Sequence, residues 1–591
     1  MAWAWPVRMG CEMKTVIVGG VAAGASTGAR LRRLDESAEI VILEQDHYVS
    51  FANCGLPYHI GGAIPDRDSL LLQTPESLAR ALALDVRTGQ QVTRIDRDAK
   101  EVEVRDLAQE RTYRESYDKL VLCPGAEPRR PPIPGADDPR VDVLRNIPDM
   151  DQIIAQLDKD ATSAVIIGGS YIGLELAEAF RARGLATTVV ERTGRLMPWL
   201  DPEMTRILDY HVRTHDVDLR LATSATAVRR GDGGGMAVDL SDGTAVEADV
   251  VVMAAGARPN VDLAREAGLK IGPHGGIMVD AQMRTSAPDI LAAGDAVETA
   301  HFLTGQPVLS MLAGPANREG RIAADSIAGR EDVGGYRGTQ GTAVVKVFDM
   351  TAGGTGMTET ELRAAGMEYR KVYTHQNGHA AYYPGTAPLF LKVLFDPAGG
   401  KLLGAQVLGW DGVDKRIDVL AVAIRAGMTI YDLEHLELAY APPYGAAKDP
   451  VNMAGFLGAN LLRGDIDLWY PEDYPDCRDR VTILDVRTPA EYDAWHIPGA
   501  VLLPFTELRQ RLAEVPRDKP VYTYCRSGFR SYIAYCVLKQ NGWDDVAFLS
   551  GGTMTYHGCH RTPLTVGRGG MPVVAHAEDE LAQRPDALAH V

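Results

Sequence analysis

Apolar and polar positions along the chain fall into the same pattern twice. Lys14–Val18 is a short apolar run that ends in Gly19-Gly20-Val21-Ala22-Ala23-Gly24. Alternating polarity then predicts a helix to about Leu34, and Glu39–Leu43 predicts a second strand ending at Glu44. Strand, glycine-rich turn, helix, strand and acid, in that order, make a dinucleotide-binding unit. Gly19 and Gly24 allow the tight turn and close helix packing, and the helix N-terminus faces a pyrophosphate. Glu44 lies where an acid bonds a ribose hydroxyl. The pattern returns at Ala164-Val165-Ile166-Ile167, which leads into Gly168-Gly169-Ser170-Tyr171-Ile172-Gly173. A helix to about Arg183 and a strand over 187–190 follow, ending at Glu191. Val21 and Ser170 replace the middle glycine of each turn. Two such units predict two dinucleotides. Glu191 would accept from a ribose 2′-hydroxyl and repel a 2′-phosphate, favouring NADH, although Arg192 beside it keeps NADPH open.

The intervening and following patterns are different. Residues 86–104 are strand-rich, and 117–126 contain a buried strand whose Cys123 is structural. Residues 289–296 read as a buried strand ending in Gly294-Asp295, a carboxylate at a strand edge where polyol hydroxyls can be held. From 342 to 462 there is no nucleotide motif: strand patterns (344–348, 389–395, 402–408) precede helical ones (417–426, 449–462). Residues 463–475 are polar and contain proline, which predicts a linker. A strand restarts at 481–487, and 521–524 runs into Cys525-Arg526-Ser527-Gly528-Phe529-Arg530-Ser531. Beyond His560 the chain is rich in Gly, Pro and acids, and disorder is expected. Residues 1–12 read as an extension before a second possible start at Met13.

Composition narrows the function. No apolar run reaches the ~18 residues of a membrane span, and a net charge of −18 argues against nucleic acid as a partner. The seven cysteines are scattered, with no C-x-x-C pair and no His/Cys ligand cluster. Neither a metal site nor a disulfide scaffold is expected, and a cytoplasmic location with reduced thiols is.

Two cysteines carry candidate chemistry. Cys54 lies in Ser50-Phe51-Ala52-Asn53-Cys54-Gly55-Leu56-Pro57-Tyr58, just after the first dinucleotide unit. No second cysteine lies within a helical turn or two, so it cannot close a local disulfide and must pair with a small sulfur or oxygen species. Ser26, Arg30 and Arg33 form one stripe on the first helix, consistent with a phosphate-bearing substrate. Cys525 sits between a strand and a helix N-terminus, where backbone N–H groups with Arg526, Gly528 and Arg530 would hold an anionic sulfur.

Residues 13 to about 462 resemble the FAD-dependent pyridine nucleotide-disulfide oxidoreductases, and the Cys54 string is similar to the single-cysteine coenzyme A-disulfide reductases. Residues 472 to about 556 resemble a rhodanese domain through Asp485-Val486-Arg487, His496-Ile497-Pro498-Gly499-Ala500 and the Cys525 loop. The fusion resembles the coenzyme A-disulfide reductase/rhodanese proteins, also described as NADH-dependent persulfide reductases. The fold implied is α/β, with two Rossmann-like domains, an α+β dimerisation domain and a C-terminal rhodanese-like domain. The division expected is 13–145 and 266–335 for FAD, 146–265 for NAD(P)H, 336–462 for dimerisation, 463–475 as linker, 476–560 as rhodanese-like and 561–591 as tail.

The resemblance implies FAD held by Gly19, Val21, Ala22, Gly24, Glu44, Ala126, Gly294 and Asp295. It implies NADH or NADPH on Gly168, Ser170, Gly173 and Glu191. Coenzyme A would meet Ser26, Arg30, Arg33, Ser50, Asn53 and Asn317, with Arg87 a looser match. Tyr382 and Tyr440 look like the tyrosines a subunit of a homodimer presents to its neighbour's Cys54; Tyr383 or Tyr444 could be the matching ring instead. The related NADH peroxidases and oxidases carry a histidine where this chain has Ala22. The activity implied is NAD(P)H-dependent reduction of coenzyme A persulfide, polysulfide or coenzyme A disulfide, with the rhodanese domain delivering sulfane sulfur. A water-forming NADH oxidase and a redox sensor or sulfur carrier are the alternatives.

Overall fold

The structure is a computed structural model. It describes residues 13–231, 233–330 and 334–560, with Thr565–Val566 paired antiparallel to Pro572–Val573 in the segment expected to be disordered. The 1–12 extension and the rest of the tail lie outside the described residues.

Each glycine-rich turn sits in its own five-stranded parallel sheet. The first has the order Ile290–Ala292, Lys119–Leu122, Lys14–Val18, Glu39–Leu43, Asp85–Arg87. The second runs Val217–Leu221, Ala186–Glu191, Ser163–Ile167, Val250–Met253, Val141–Asp142. These central strands are near-continuous Val/Ile/Leu runs because helices cover both faces of a parallel sheet. Each turn therefore emerges at the C-terminal edge of a central strand, where such folds bind ligands.

The third sheet is antiparallel: Ala343–Val347, Met350–Gly356, Leu402–Gly409, Leu389–Phe395, Arg370–Thr374. The helices Val413–Arg425 and Pro450–Arg463 accompany it. Met350–Gly356 was not legible as a strand, since three of its seven residues are glycine. The reason is steric. A Cβ on Gly353 would meet Ile417 Cγ1 at 2.7 Å, and one on Gly354 would meet Trp199 at 2.8 Å.

The fourth sheet is parallel, in the order Leu468–Trp469, Val546–Leu549, Val521–Tyr524, Thr482–Asp485, Val501–Leu502. Its edge strand lies in the stretch expected as a linker. Trp469 is buried there and donates Nε1–H to Thr523 O at 3.1 Å. The polar, proline-containing composition of 463–475 concealed a two-residue strand with one large anchoring ring.

A buried charge network joins the second, third and fourth units. Lys392, fully buried, contacts Asp201 (2.7 Å), Glu203 (2.5 Å) and Glu359. Lys371 bridges Glu359 (3.0 Å) and Glu472. The Tyr373 hydroxyl donates to Glu203 at 2.8 Å, and its N–H donates to Ser550 Oγ at 3.2 Å. Against burial, which would raise it, Lys392 and Lys371 hold the Glu359 carboxyl down to about 2. Removing the one cation that touches three buried acids leaves uncompensated charge, at a cost of about 3–5 kcal/mol. Lys392→Met is therefore expected to lower the thermal unfolding midpoint clearly. An unchanged midpoint by calorimetry would contradict this role.

Candidate active site

The two glycine-rich turns share one geometry. Gly19 has φ +97°, and a Cβ there would lie 2.1 Å from Cys123 O; Gly168 has φ +121°, and a Cβ would lie 2.2 Å from Ala254 O. Both positions need glycine for conformation and for space. Gly20 N–H donates to Glu44 Oε2 at 2.8 Å, and Gly169 N–H donates to Glu191 Oε2 at the same distance. The second oxygens accept from Asp46 N–H and Thr193 N–H. Each carboxylate is thus locked at the end of its strand, with lone pairs left for hydroxyls. Val21 and Ser170 stand at the N-caps of Ala22–Leu34 and Tyr171–Ala182 with no side-chain cap. The first N–H groups of two long helices stay available to an anion, and the residues present fit two dinucleotides.

Cys54 is exposed in the single turn Asn53–Gly55, which leads into the short helix Leu56–Ile60. That helix packs on Tyr171–Ala182 closely enough that a Cβ on Gly61 would lie 3.0 Å from Ala179 Cα. The contact brings Cys54 to the seam between the two nucleotide-binding units. Although the residue reaches solvent, partial desolvation of its sulfur pushes the Cys54 thiol up, and Glu175 and Asp295 push it further. Glu175 itself is raised to about 7, chiefly by burial, and accepts from the Tyr58 hydroxyl at 3.4 Å. Burial, with Glu175 next, lifts Tyr58 to about 12. Asp295 is also raised by burial, with Arg145 opposing. It follows Gly294, whose N–H donates to Glu319 Oε2 at 2.9 Å. Ala126 opens the strand Ala126–Pro128, next to Gly125, where a Cβ would lie 3.4 Å from the Arg145 guanidinium.

Ser50 adopts φ +45°, and its N–H donates to Gly20 O at 3.0 Å, tying the Cys54 loop to the first turn. Asn53 Nδ2 donates to Arg145 O at 3.5 Å. Ser26 and Asn317 meet directly, because Ala22–Leu34 crosses Ala313–Ile327 where Gly320 leaves room for Ala23 O. The rest of the stripe divides. Arg30 gives its Nε and Nη2 to Asp325 (3.1 and 2.7 Å), so that edge of its guanidinium is committed within the fold. Arg33 is exposed. Arg87 pairs with Asp85 and Glu115. Tyr382 and Tyr440 are 69% and 49% exposed, yet their hydroxyls lie 2.9 Å apart. Tyr383 and Tyr444 are exposed as well.

The Cys525 loop is more enclosed. Cys525 is 1% exposed, and its sulfur accepts from Gly528 N–H (3.2 Å) and Ser531 Oγ (3.5 Å). Gly528, at φ +105°, turns that N–H inward. The helix Gly552–His560 closes behind: Thr553 N–H donates to Cys525 O and Met554 N–H to Arg526 O. Arg530 gives both Nη atoms to Glu491 at 2.7 Å each. Glu491, raised by burial but outweighed by Arg530, is held down to about 2.

A family model described as pyridine nucleotide-disulphide oxidoreductase matches residues 13–320. The chain belongs to this family. A model of the family's dimerisation domain matches 342–449, and a rhodanese-like domain model matches 473–559. Coenzyme A disulfide reductase from Staphylococcus aureus (strain bovine RF122 / ET3-1) is 34% identical over 445 residues, covering 75% of this chain and 99% of the relative. The structure of reduced Bacillus anthracis CoADR-RHD matches with a TM-score of 0.90 at 42% identity, covering 93% of this chain and 98% of that one. The NAD-dependent persulfide reductase from A. fulgidus matches with a TM-score of 0.86 at 36% identity, covering 92% and 100%. The fold is accordingly an α/β oxidoreductase with a dimerisation domain and a rhodanese domain, and the chain is an enzyme of this type.

In this oxidoreductase Glu175, Arg145, Ser531 and Glu491 were not singled out from sequence as site residues. Glu175 follows the second glycine turn by two residues, but only folding brings it to Cys54. Its charge yields a test. Glu175→Gln removes a negative charge beside the thiol, so the Cys54 pKa should fall. The pH profile of Cys54 alkylation by iodoacetamide should shift to lower pH; an unmoved profile would separate Glu175 from the sulfur.

Proposed function

We propose that this enzyme reduces sulfur–sulfur bonds of small thiol compounds, coenzyme A persulfide foremost, with coenzyme A disulfide and polysulfide as further substrates. The observation that carries the reading is the position of Cys54: a lone, exposed thiol at the seam of two dinucleotide units, in a chain that also holds the Cys525 loop. Glu44, Asp295 and the first turn (Gly19, Val21, Ala22, Gly24), with Ala126 and Gly294, would hold FAD. Gly168, Ser170, Gly173 and Glu191 would hold NADH in preference to NADPH. The domain division is the one set out from the sequence, with 463–475 now assigned to the rhodanese unit. The active form is a cytoplasmic homodimer.

The thiolate of Cys54 attacks the inner sulfur of coenzyme A persulfide. A Cys54–coenzyme A disulfide forms, the terminal S–S bond breaks, and hydrosulfide leaves. With coenzyme A disulfide the leaving group is a second coenzyme A thiolate. FAD and NADH, when bound, would supply two electrons; with these the mixed disulfide opens, coenzyme A is freed and Cys54 returns to the thiolate. The Tyr382 and Tyr440 hydroxyls of the neighbouring subunit hold or protonate the leaving thiolate. Ser26, Asn317, Ser50, Asn53 and the exposed Arg33 line the coenzyme A path. Cys525 takes up sulfane sulfur as a persulfide, steadied by the Gly528 N–H and Ser531 hydroxyl, and transfers it to coenzyme A. A carrier of sulfane sulfur serves a persulfide reductase and has no use in a plain disulfide reductase, so the fusion favours persulfide.

Cys54→Ser should abolish NADH oxidation driven by every sulfur substrate while the flavin spectrum is retained. Cys525→Ser should spare reduction of free coenzyme A persulfide and slow the use of larger sulfane donors. Persulfide turnover surviving in Cys54→Ser, or Cys525→Ser indistinguishable on all donors, would overturn the assignment.

A further inference from the structure

A second cluster of ligating side chains lies away from Cys54 and Cys525. His211 lies in the last turn of the helix Pro202–Thr214, and His215 is its C-cap residue, so the two rings share one face at i, i+4. Opposite them is the tight turn Phe348-Asp349 between Ala343–Val347 and Met350–Gly356. That turn is anchored: Phe348 N–H donates to Glu178 Oε2 at 2.8 Å, and the Phe348 ring stacks on His215 at 4.1 Å. Both imidazoles converge on one oxygen. Asp349 Oδ1 lies 2.9 Å from His211 Nε2 and 3.6 Å from His215 Nε2. One ligand atom from each residue falls within 4.8 Å of the others.

His211 is 2% exposed, and neither of its ring nitrogens makes a well-aligned hydrogen bond, although Nε2 lies 2.9 Å from Asp349 Oδ1. His215 Nδ1 lies 3.0 Å from His211 O. A carbonyl only accepts, so Nδ1 carries the proton, and in the neutral ring Nε2 presents a lone pair to a carboxylate oxygen. A His215 lone pair, the His211 ring and an anion face one point, where a single cation would satisfy all three. The backbone hydrogen bond on the far ring nitrogen is also the outer contact that orients a metal-ligating histidine.

We propose that His211, His215 and Asp349 bind a borderline divalent transition-metal ion of the zinc class. Two imidazole nitrogens and one carboxylate oxygen suit such an ion and disfavour magnesium or calcium. In tetrahedral coordination neighbouring ligand atoms lie roughly 3.3 Å apart at metal–ligand distances near 2.0–2.1 Å, between the two separations observed. Asp349 is 62% exposed, so water completes the shell. The ion would staple the last turn of a nucleotide-domain helix to a hairpin of the antiparallel sheet, a structural role independent of the sulfur chemistry.

The test uses the full-length flavoprotein, stripped with a chelator and dialysed against Zn2+. Wild type should retain one Zn2+ per chain, with nitrogen and oxygen but no sulfur scatterers in its X-ray absorption spectrum. His215→Ala and Asp349→Asn, both partly exposed positions, should each weaken binding at least about tenfold. Both should also abolish the Zn2+-dependent rise in unfolding temperature expected of an ion that binds the folded chain. Failure to retain stoichiometric Zn2+, sulfur in the coordination shell, or affinity unchanged in both variants would overturn the site. A thermal midpoint that ignores Zn2+ in the wild type would also overturn it.

Discussion

A thiol with no second cysteine close to it in the sequence is the constraint on which the proposed chemistry depends. Cys54 is free, and every other described cysteine is free too. A two-cysteine reductase stores an electron pair in its own disulfide. On the function proposed above, this chain borrows the second sulfur from its substrate, so its resting and loaded states differ by a bound small molecule. Exposure of Cys54 follows as a requirement. So does its place beside Asp295 of one nucleotide unit and Glu175 of the other, where both halves of the oxidoreductase meet one sulfur atom.

The surroundings of that sulfur are tuned by charge in an unusual direction. Burial and two carboxylates all oppose the thiolate. Burial raises the Glu175 carboxyl to about 7, and it accepts a hydrogen bond from Tyr58. On the function proposed above, negative charge near Cys54 would favour departure and protonation of an anionic leaving group. Cys525 is held differently, under 2% exposed and contacted by a backbone N–H and a hydroxyl. The two cysteines thus suit different tasks, one open to exchange and one shielded to carry. The Lys392 and Lys371 network keeps the unit bearing Cys525 fixed against the helix that starts at Pro202.

Much of this was legible in the sequence because it repeats strong local rules. Glycine at 19, 24, 168 and 173, and acids at 44 and 191, announce themselves by spacing, as does the strand–Cys525–helix turn. Other features depend on contacts made across hundreds of residues. Arg30 reads as a phosphate ligand on its helix but pairs with Asp325, which no local pattern predicts. Met350–Gly356 was not picked out as a strand, because its glycines serve the space that Ile417 and Trp199 need. Trp469 turns a polar connection into a sheet edge. His211 and His215 were not singled out in the sequence, and Asp349 joins them only through packing of two units.

The central claim is that one sulfur atom forms the covalent link to substrate. Oxidised protein incubated with coenzyme A disulfide and digested without reductant, then analysed by mass spectrometry, tests it directly. The account predicts a single coenzyme A adduct, on the peptide carrying Cys54, with one coenzyme A thiol released per chain. An adduct on Cys525 alone, or no adduct with Cys54 still alkylatable, would contradict it.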